Sequence, residues 1–465
     1  MAIRYPTTAA QLLSVLNTGA VGDFPRAGNG DTVILAAGTT YATGATALTP
    51  QAGVTIEGLN RVTSKITGQF AGNLAGSGNP LTMRDFTVDS TGLDAATIYG
   101  PNEFRDGIMR FYGLRFTGAA AAGQGNQITF LMAAAQVDAL LQNCEIDNAE
   151  ADCISTKATG TPTTSILRVA SCRVHDCGSG SADNWITCHD GFAVEVSDCH
   201  CYSHGYTGGL ARGIQPENAS TRLDVFDSLI EGARVSCRRA EGLNIITQAK
   251  ANAQGISLGT DGGWAKNCRV VSPSADGNDG VYFANDNQSA INCYFEGFQG
   301  AAQTGVFILN TTGGTHNVLN CRTVNCGRGF DIRAAAGATV NFHGCITDNL
   351  CDSWDVLGAA GVTYNTGGNI TGNGGSGWLV VSPDATDKES TVAQLDAAGI
   401  QRPGGNCWIG RGVAVAGRAK LGAGDLRGLP RLRIGGEPVG PGWPQHDDER
   451  NILVPLVQMA AEMVW

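Results

Sequence analysis

The sequence is poor in charge. Only 16% of its 465 residues are Asp, Glu, Lys or Arg, and lysine supplies 6 of the 31 basic residues. With a net charge of −11 and few lysines, the chain lacks the clustered cations that a phosphate backbone demands. Nucleic acid is therefore excluded as the main ligand. No run of 18 apolar residues occurs, which excludes a membrane-spanning helix. The opening stretch Met1 to Thr8 carries no apolar core and no small-residue cleavage site, so the expectation is a chain made in the cytoplasm without a signal peptide. Glycine is the opposite case. It fills 65 positions, about twice its usual share of ~7%. It shows no three-residue period, which excludes collagen, and the 42% of hydrophobic residues exclude disorder.

Fifteen cysteines, an odd number in a long chain, are expected to be mostly thiols rather than a disulfide scaffold. Many of them recur. A short apolar strand follows a polar or glycine residue at Asp85-Phe86, Gly113-Leu114, Asn143-Cys144, Ser171-Cys172, Asp198-Cys199, Asp227-Ser228, Asn267-Cys268, Asn292-Cys293, Asn320-Cys321 and Gly344-Cys345. Successive steps are 24 to 30 residues, except one of 40, which reads as an insertion between 229 and 267. A second series runs in phase between the first, at Ile154, Ile186, Ile214, Ile256, Val281, Val306 and Phe330. Two columns sharing one period, with short alternating strands between Gly, Asn, Asp and Ser turns, describe a solenoid coil of three strands and three turns. The expected fold is all-β: a right-handed parallel β-helix of about 10–12 coils.

Alternation assigns faces. Cys144, Cys172, Cys199, Cys268, Cys293, Cys321 and Cys345 point inward as a ladder of small buried thiols. The residue before each sits at the bend, where Asn and Asp tolerate turn geometry.

The stacked Asn-Cys turns, and the Gly30–Gly38 stretch that follows a short helix over 7–17, resemble the pectate-lyase-like β-helix superfamily. The resemblance covers roughly 28–380. It implies a capping segment over 1–27, the β-helix over 28–380, and an irregular run-out and assembly tail over 381–465. The superfamily includes polysaccharide lyases, glycoside hydrolases, epimerases, adhesins and phage tailspikes, so it specifies fold more than chemistry.

The outward columns of the second series are polar from 152 to 217. Lys157, His189 and Glu217 share one column, Ser155, Thr187 and Gln215 another, and Asp152, Asn184 and Arg212 lie at the entrance. Coils stack about 4.8 Å apart, so His189 reaches both Lys157 and Glu217, with Asp190 next to it. Acid, base and imidazole on one face suit proton transfer at a sugar ring. Lys157, His189, Glu217 and Asp190 are the catalytic candidates, with Arg212, Thr187 and Gln215 as substrate contacts. A second patch joins Glu145, Arg173 and His200 with Asp147, His175, Tyr202 and Glu231. Arg173, His175, His200 and Tyr202 are its substrate-binding candidates. Asp147 and Glu231 are three coils apart, about 14 Å, which is too far for a glycosidase pair.

Further along, the same columns turn apolar at Tyr282, Phe307 and Leu309. An outward apolar patch is covered either by a loop or by another subunit; the second is the expectation here, a homotrimer packed side by side. Trp465 ends an apolar tail expected to dock on a partner. No metal is expected, because Cys199 and Cys201 face in while His200 faces out. No cofactor is expected either. The functional expectation is a phage virion protein of the tailspike or fibre type, presenting its solenoid to host-surface glycan. Its partners would be that polysaccharide, its own copies and other virion proteins through the tail. The alternatives are a stand-alone polysaccharide lyase or glycoside hydrolase, extracellular in that case, and a purely structural or adhesive β-helix.

Overall fold

The computed structural model describes residues 1–389 apart from 20–23, 76–77, 94–98, 119–124, 150, 160–164, 178–183, 190, 204–212, 218–221, 250–252, 274–277, 301–302, 310–312, 348–353, 358, 372–377 and 380–387. Two compact units divide the chain, Met1–Val392 and Ala393–Trp465. The first is the parallel β-helix, of about a dozen coils. Three parallel sheets run its length, of 15, 15 and 13 strands among the described residues. Each coil contributes one strand to each sheet in turn. The first sheet holds strands such as Val137–Gln142, the second Glu145–Asp147 and the third Ile154–Ala158. At the N-terminal end a short helix, Ala9–Leu13, is capped by the Thr8 hydroxyl, which accepts from the Gln11 N–H at 3.2 Å. Strand Ile3–Arg4 pairs with Thr32 and Val33 and extends the first sheet. No helix among the described residues is long and apolar enough to cross a membrane.

From strand Leu81–Arg84 onward, the corner between the first and second sheets is a single residue in the left-handed region. It is Asp85 (φ 62°), Asn143 (56°), Ser171 (53°), Asp198 (52°), Asp227 (45°), Asn267 (53°), Asn292 (54°) or Asn320 (52°), and elsewhere glycine, at 113, 242, 344 and 368. A Cβ costs roughly 1–2 kcal/mol there, and only Gly, Asn and Asp enter the region routinely. The repeat is therefore a backbone requirement. It also corrects one expectation. Residues 229–267 hold a complete short coil: Gly242 (φ 68°) makes the bend, and Leu243 takes the inward place that cysteine holds elsewhere. Strands Val235–Cys237, Arg239–Glu241 and Asn244–Ile246 pair with the coils on both sides.

Behind the bend lies the expected ladder: Phe86, Leu114, Cys144, Cys172, Cys199, Ser228, Leu243, Cys268, Cys293, Cys321 and Cys345, all buried. Each ladder cysteine sulfur lies against the carbonyl two residues back, such as Gln142, Ala170 or Leu319. Burial pushes the Cys172 and Cys321 thiols well up, away from reactive thiolate. Ser228 keeps the rung, donating to Phe226 O at 2.7 Å and accepting from the Cys199 N–H at 3.1 Å. Among the described residues eleven cysteines are free thiols, as expected, while Cys153 and Cys177 form a disulfide that joins successive coils. In the N-terminal half, the inner face of the third sheet carries an aromatic stack. Phe70, Phe104 and Phe130 stand in adjacent coils with ring centroids 6.0 and 6.3 Å apart. Each buried ring contributes about 1.5–3 kcal/mol.

Two predictions follow from the backbone and the core. Ser171→Gly relieves a left-handed residue that is neither Gly, Asn nor Asp, so chemical denaturation should show a gain of up to about 1 kcal/mol, and a loss would contradict the bend. Burial raises the Asp279 carboxyl to about 6, with Thr304 and Gln254 donating to it and partly opposing the rise. A folded-state value above the ordinary 3.8 means stability that is full at low pH and lost as pH rises through about 6. Asp279→Asn should abolish that loss and stabilise the fold at pH 8 by on the order of 3 kcal/mol, read from thermal melts at pH 4.5 and 8.

Candidate functional site

Strand register brings the predicted columns together. On the outer face of the third sheet Ser155 pairs with Thr187 and Thr187 with Gln215. One column along, Lys157 follows Leu131. The Lys157 Nζ and His189 Nε2 atoms lie 2.5 Å apart, and the other ring nitrogen, Nδ1, contacts a Glu217 carboxylate oxygen. His189 is 14% exposed and Glu217 49%, so the row opens toward its carboxylate end. Burial pushes the Lys157 ammonium below the usual lysine range, and the nearby charge of Asp152 only partly opposes it. Two cations do not share 2.5 Å. The Nδ1 side of the ring faces the Glu217 carboxylate and the Nε2 side faces the amine.

The neighbouring column differs from expectation. Ser155 and Thr187 point off the sheet yet are buried, as are Thr129 and Glu103 before them. Asp152 and Asn184 are locked to one another, with the Asn184 N–H donating to Asp152 Oδ1 at 2.8 Å. Asp190 and Arg212 lie outside the described residues.

The second predicted patch is also assembled. Glu145, Arg173 and His200 are in register on the second sheet, as are Asp147, His175, Tyr202 and Glu231. Asp147 is fully buried. Arg115 donates to its Oδ2 at 2.9 Å, Asn148 to Oδ1 at 2.7 Å, and the Thr117 hydroxyl also donates to Oδ1. His175 reaches Glu145 at 3.4 Å and Asp176 at 2.9 Å, and its ring stacks on Tyr202 at 4.6 Å with planes 4° apart. His200 pairs with Glu231 at 2.7 Å. Arg173 is exposed beside them. Arg115, Thr117 and Arg61, which lies 3.5 Å from Glu145, went unnoticed in the sequence. The tell was the outward column Arg115–Glu145–Arg173, of alternating sign.

Burial alone would lower the His175 pKa, but its bonds to Glu145 and Asp176 and the charge of Asp147 raise it above the ordinary value. The His175 bond outweighs burial at Glu145 and holds that carboxyl low. Glu145, Asp147 and His175 bring ligand atoms within 4.8 Å of one another, a donor set of the right type for a divalent cation. The Arg115 and Arg61 guanidinium groups already supply positive charge to these two carboxylates. We therefore read the cluster as an ion-pair network.

Tyr282 and Phe307, of the interface expectation, are adjacent with ring centroids 5.7 Å apart, and both point off the third sheet half-buried. The Arg333 guanidinium lies over Phe307 at 5.3 Å. Leu309 is half-buried one column away, paired with Arg333. Trp465 lies outside the described residues.

No protein-family model and no curated protein sequence matches the chain. Among solved structures it is similar to a PL6 alginate lyase in complex with a trisaccharide, at 11% identity over 84% of this chain and 88% of the other, with a TM-score of 0.43. It is also similar to the PL6 family alginate lyase AlyGC, at 11% identity over 84% of this chain and 53% of that one (TM-score 0.44). A third is the pre-mature bacteriophage phi29 gene product 12, at 12% identity over 77% and 54% (TM-score 0.40). The chain thus spans about half the length of the last two.

Because the folded His175 value is raised, its contribution is complete below the ordinary pKa of 6.5 and is lost as pH rises through the folded value. Thermal midpoints should fall on going from pH 6 to pH 9 by more in the wild type than in His175→Gln. Arg115→Ala should cost about 3–5 kcal/mol, because it strands Asp147, the fully buried side of the pair. A loss under 1 kcal/mol would show that the network is only surface charge.

Proposed function

We propose that the chain is a polysaccharide-acting β-helix that moves a proton on a bound glycan at the Lys157–His189–Glu217 row. One observation carries the reading: a half-buried lysine with a depressed pKa touches an imidazole whose far nitrogen is held by a carboxylate. Carboxylate orients imidazole, imidazole drains the proton from the amine, and the amine becomes a general base below the usual lysine range. In an elimination, neutral Lys157 takes the proton from a ring carbon, and the C–H electron pair becomes the new C=C bond. The glycosidic C–O bond breaks, and the leaving oxygen takes a proton back from the Lys157 ammonium. Gln215, half-buried in the adjoining column, lies beside the bound sugar, whereas Thr187 is buried beneath it. Arg173, His175, His200 and Tyr202, on the next sheet of the same coils, extend the glycan-facing surface.

A second reading concerns where this surface works. The outward Tyr282–Phe307 pair, with Leu309, supports side-by-side packing of copies, as in a virion tailspike presenting its solenoid to host-surface glycan. Sedimentation should then give a trimer that Phe307→Glu converts to monomer. A wild-type monomer would remove this reading.

Lys157→Arg keeps the charge but cannot release a proton. On a panel of polysaccharides it should cut turnover by roughly 10²–10⁴-fold with glycan binding retained. Wild-type turnover should rise with pH through the depressed lysine value. Full activity in Lys157→Arg would end the proton-transfer reading.

A further inference from the structure

The inner column of the third sheet reads Phe104, Phe130, Thr156 in register. Two coils fill it with stacked rings, and the third places a hydroxyl, fully buried, where a ring would continue the stack. A buried hydroxyl in an apolar column is costly without a partner. Its partner is the backbone N–H of His189, which donates to Thr156 Oγ1 at 2.8 Å.

That bond stands where a main-chain rung belongs. One coil earlier, strands Ile128–Met132 and Ile154–Ala158 pair over all five residues. Between Ile154–Ala158 and Ile186–Cys188 the ladder covers only Ile154↔Ile186 and Ser155↔Thr187. The next coil pairs Ile186, Thr187 and Cys188 again, and the Glu217 N–H donates to Cys188 O at 2.7 Å. The ladder is interrupted for one step, and the residue at the step is His189.

We infer that Thr156 is the positioning residue of the Lys157–His189–Glu217 row: its buried hydroxyl captures the His189 N–H and holds that residue off the regular ladder, so the imidazole stands between amine and carboxylate. The inference rests on the proposed proton-transfer site for its purpose, but not for its test. Thr156 lies on the inner face and touches no substrate. Valine at 156 keeps shape and β-branching but offers no acceptor, so the His189 N–H must find a carbonyl in the ladder and carry the ring with it. Serine restores the acceptor.

The experiment is a pH titration of His189 by ¹⁵N–¹H NMR on the full chain labelled at its seven histidines, assigned with His189→Gln. In wild type and Thr156→Ser, the two ring nitrogens should keep one tautomer and one titration midpoint. In Thr156→Val the tautomer preference should be lost and the titration should differ from that of the wild type, with turnover down at least tenfold and KM little changed. A Thr156→Val protein with the wild-type His189 titration overturns the inference. If the valine variant does not melt cooperatively, Thr156→Ala decides by the same criterion. An inactive wild type with a Thr156-dependent His189 titration would sink the proposed function and leave the positioning role standing. Activity lost in Lys157→Arg with no response to Thr156→Val would do the reverse.

Discussion

From Asp85 onward, what faces outward or inward on this solenoid depends on one backbone event per coil, the single left-handed residue between the first and second sheets. A one-residue corner leaves no slack. The strand after it starts at the same place in each of these coils, and side chains of like position fall on top of one another at the β-sheet spacing of about 4.8 Å. A slip of one residue would turn the cysteine ladder outward and the polar columns inward. The backbone cost at each corner is met by Asn, Asp or Gly, and Asn143, Asn267, Asn292 and Asn320 hold φ between 52° and 56°.

Stacking of like positions has a chemical consequence. A row of three coils can hold three different functional groups in contact although they are about thirty residues apart in sequence. Lys157, His189 and Glu217 are one such row, and Asp147, His175 and Tyr202 are another. The two rows occupy the same coils on adjacent sheets but differ electrostatically. The second is saturated: Arg115, Thr117 and Asn148 satisfy Asp147, and His175 is shared between Glu145 and Asp176. The first is a chain of three groups competing for protons beside buried neighbours. Saturated networks hold geometry, whereas proton-sharing chains can do work on a ligand.

The aromatic stack shows where regularity was given up. Continuing Phe104 and Phe130 with a third ring would bury more apolar surface than Thr156 does. The hydroxyl instead replaces a rung of the ladder and frees the next residue from it. Local departures from an otherwise consistent repeat are where function is expected, because they cost stability and bring no structural return.

Period, strand type and inside-outside pattern were legible before any coordinates. The bend residues Asn143, Ser171 and Asp198 and the inward cysteines follow from local rules, turn chemistry and alternation, which act over a few residues. The short coil at Gly242–Leu243 escaped the pattern because of its length: Leu243 follows Ser228 by only 15 residues, about half the usual step, although Gly113–Leu114 presents the same residue pair. The columns Lys157–His189–Glu217 and Glu145–Arg173–His200 could also be aligned, since a constant period makes distant positions neighbours. Burial on the outer face could not be read this way. Ser155 and Thr187 alternate outward and are nonetheless buried, and Asp147 is enclosed by Arg115 from the coil before and by Thr117. Thr156, which looks like one more polar residue in a strand, takes its role from a backbone N–H thirty-three positions away. The sequence by itself determined register and residue type at each rung. Only the tertiary structure decided which rungs are dry, which charges are already paired and where the ladder breaks, because desolvation and hydrogen bonding belong to the neighbours that stacking brings in rather than to the residue itself.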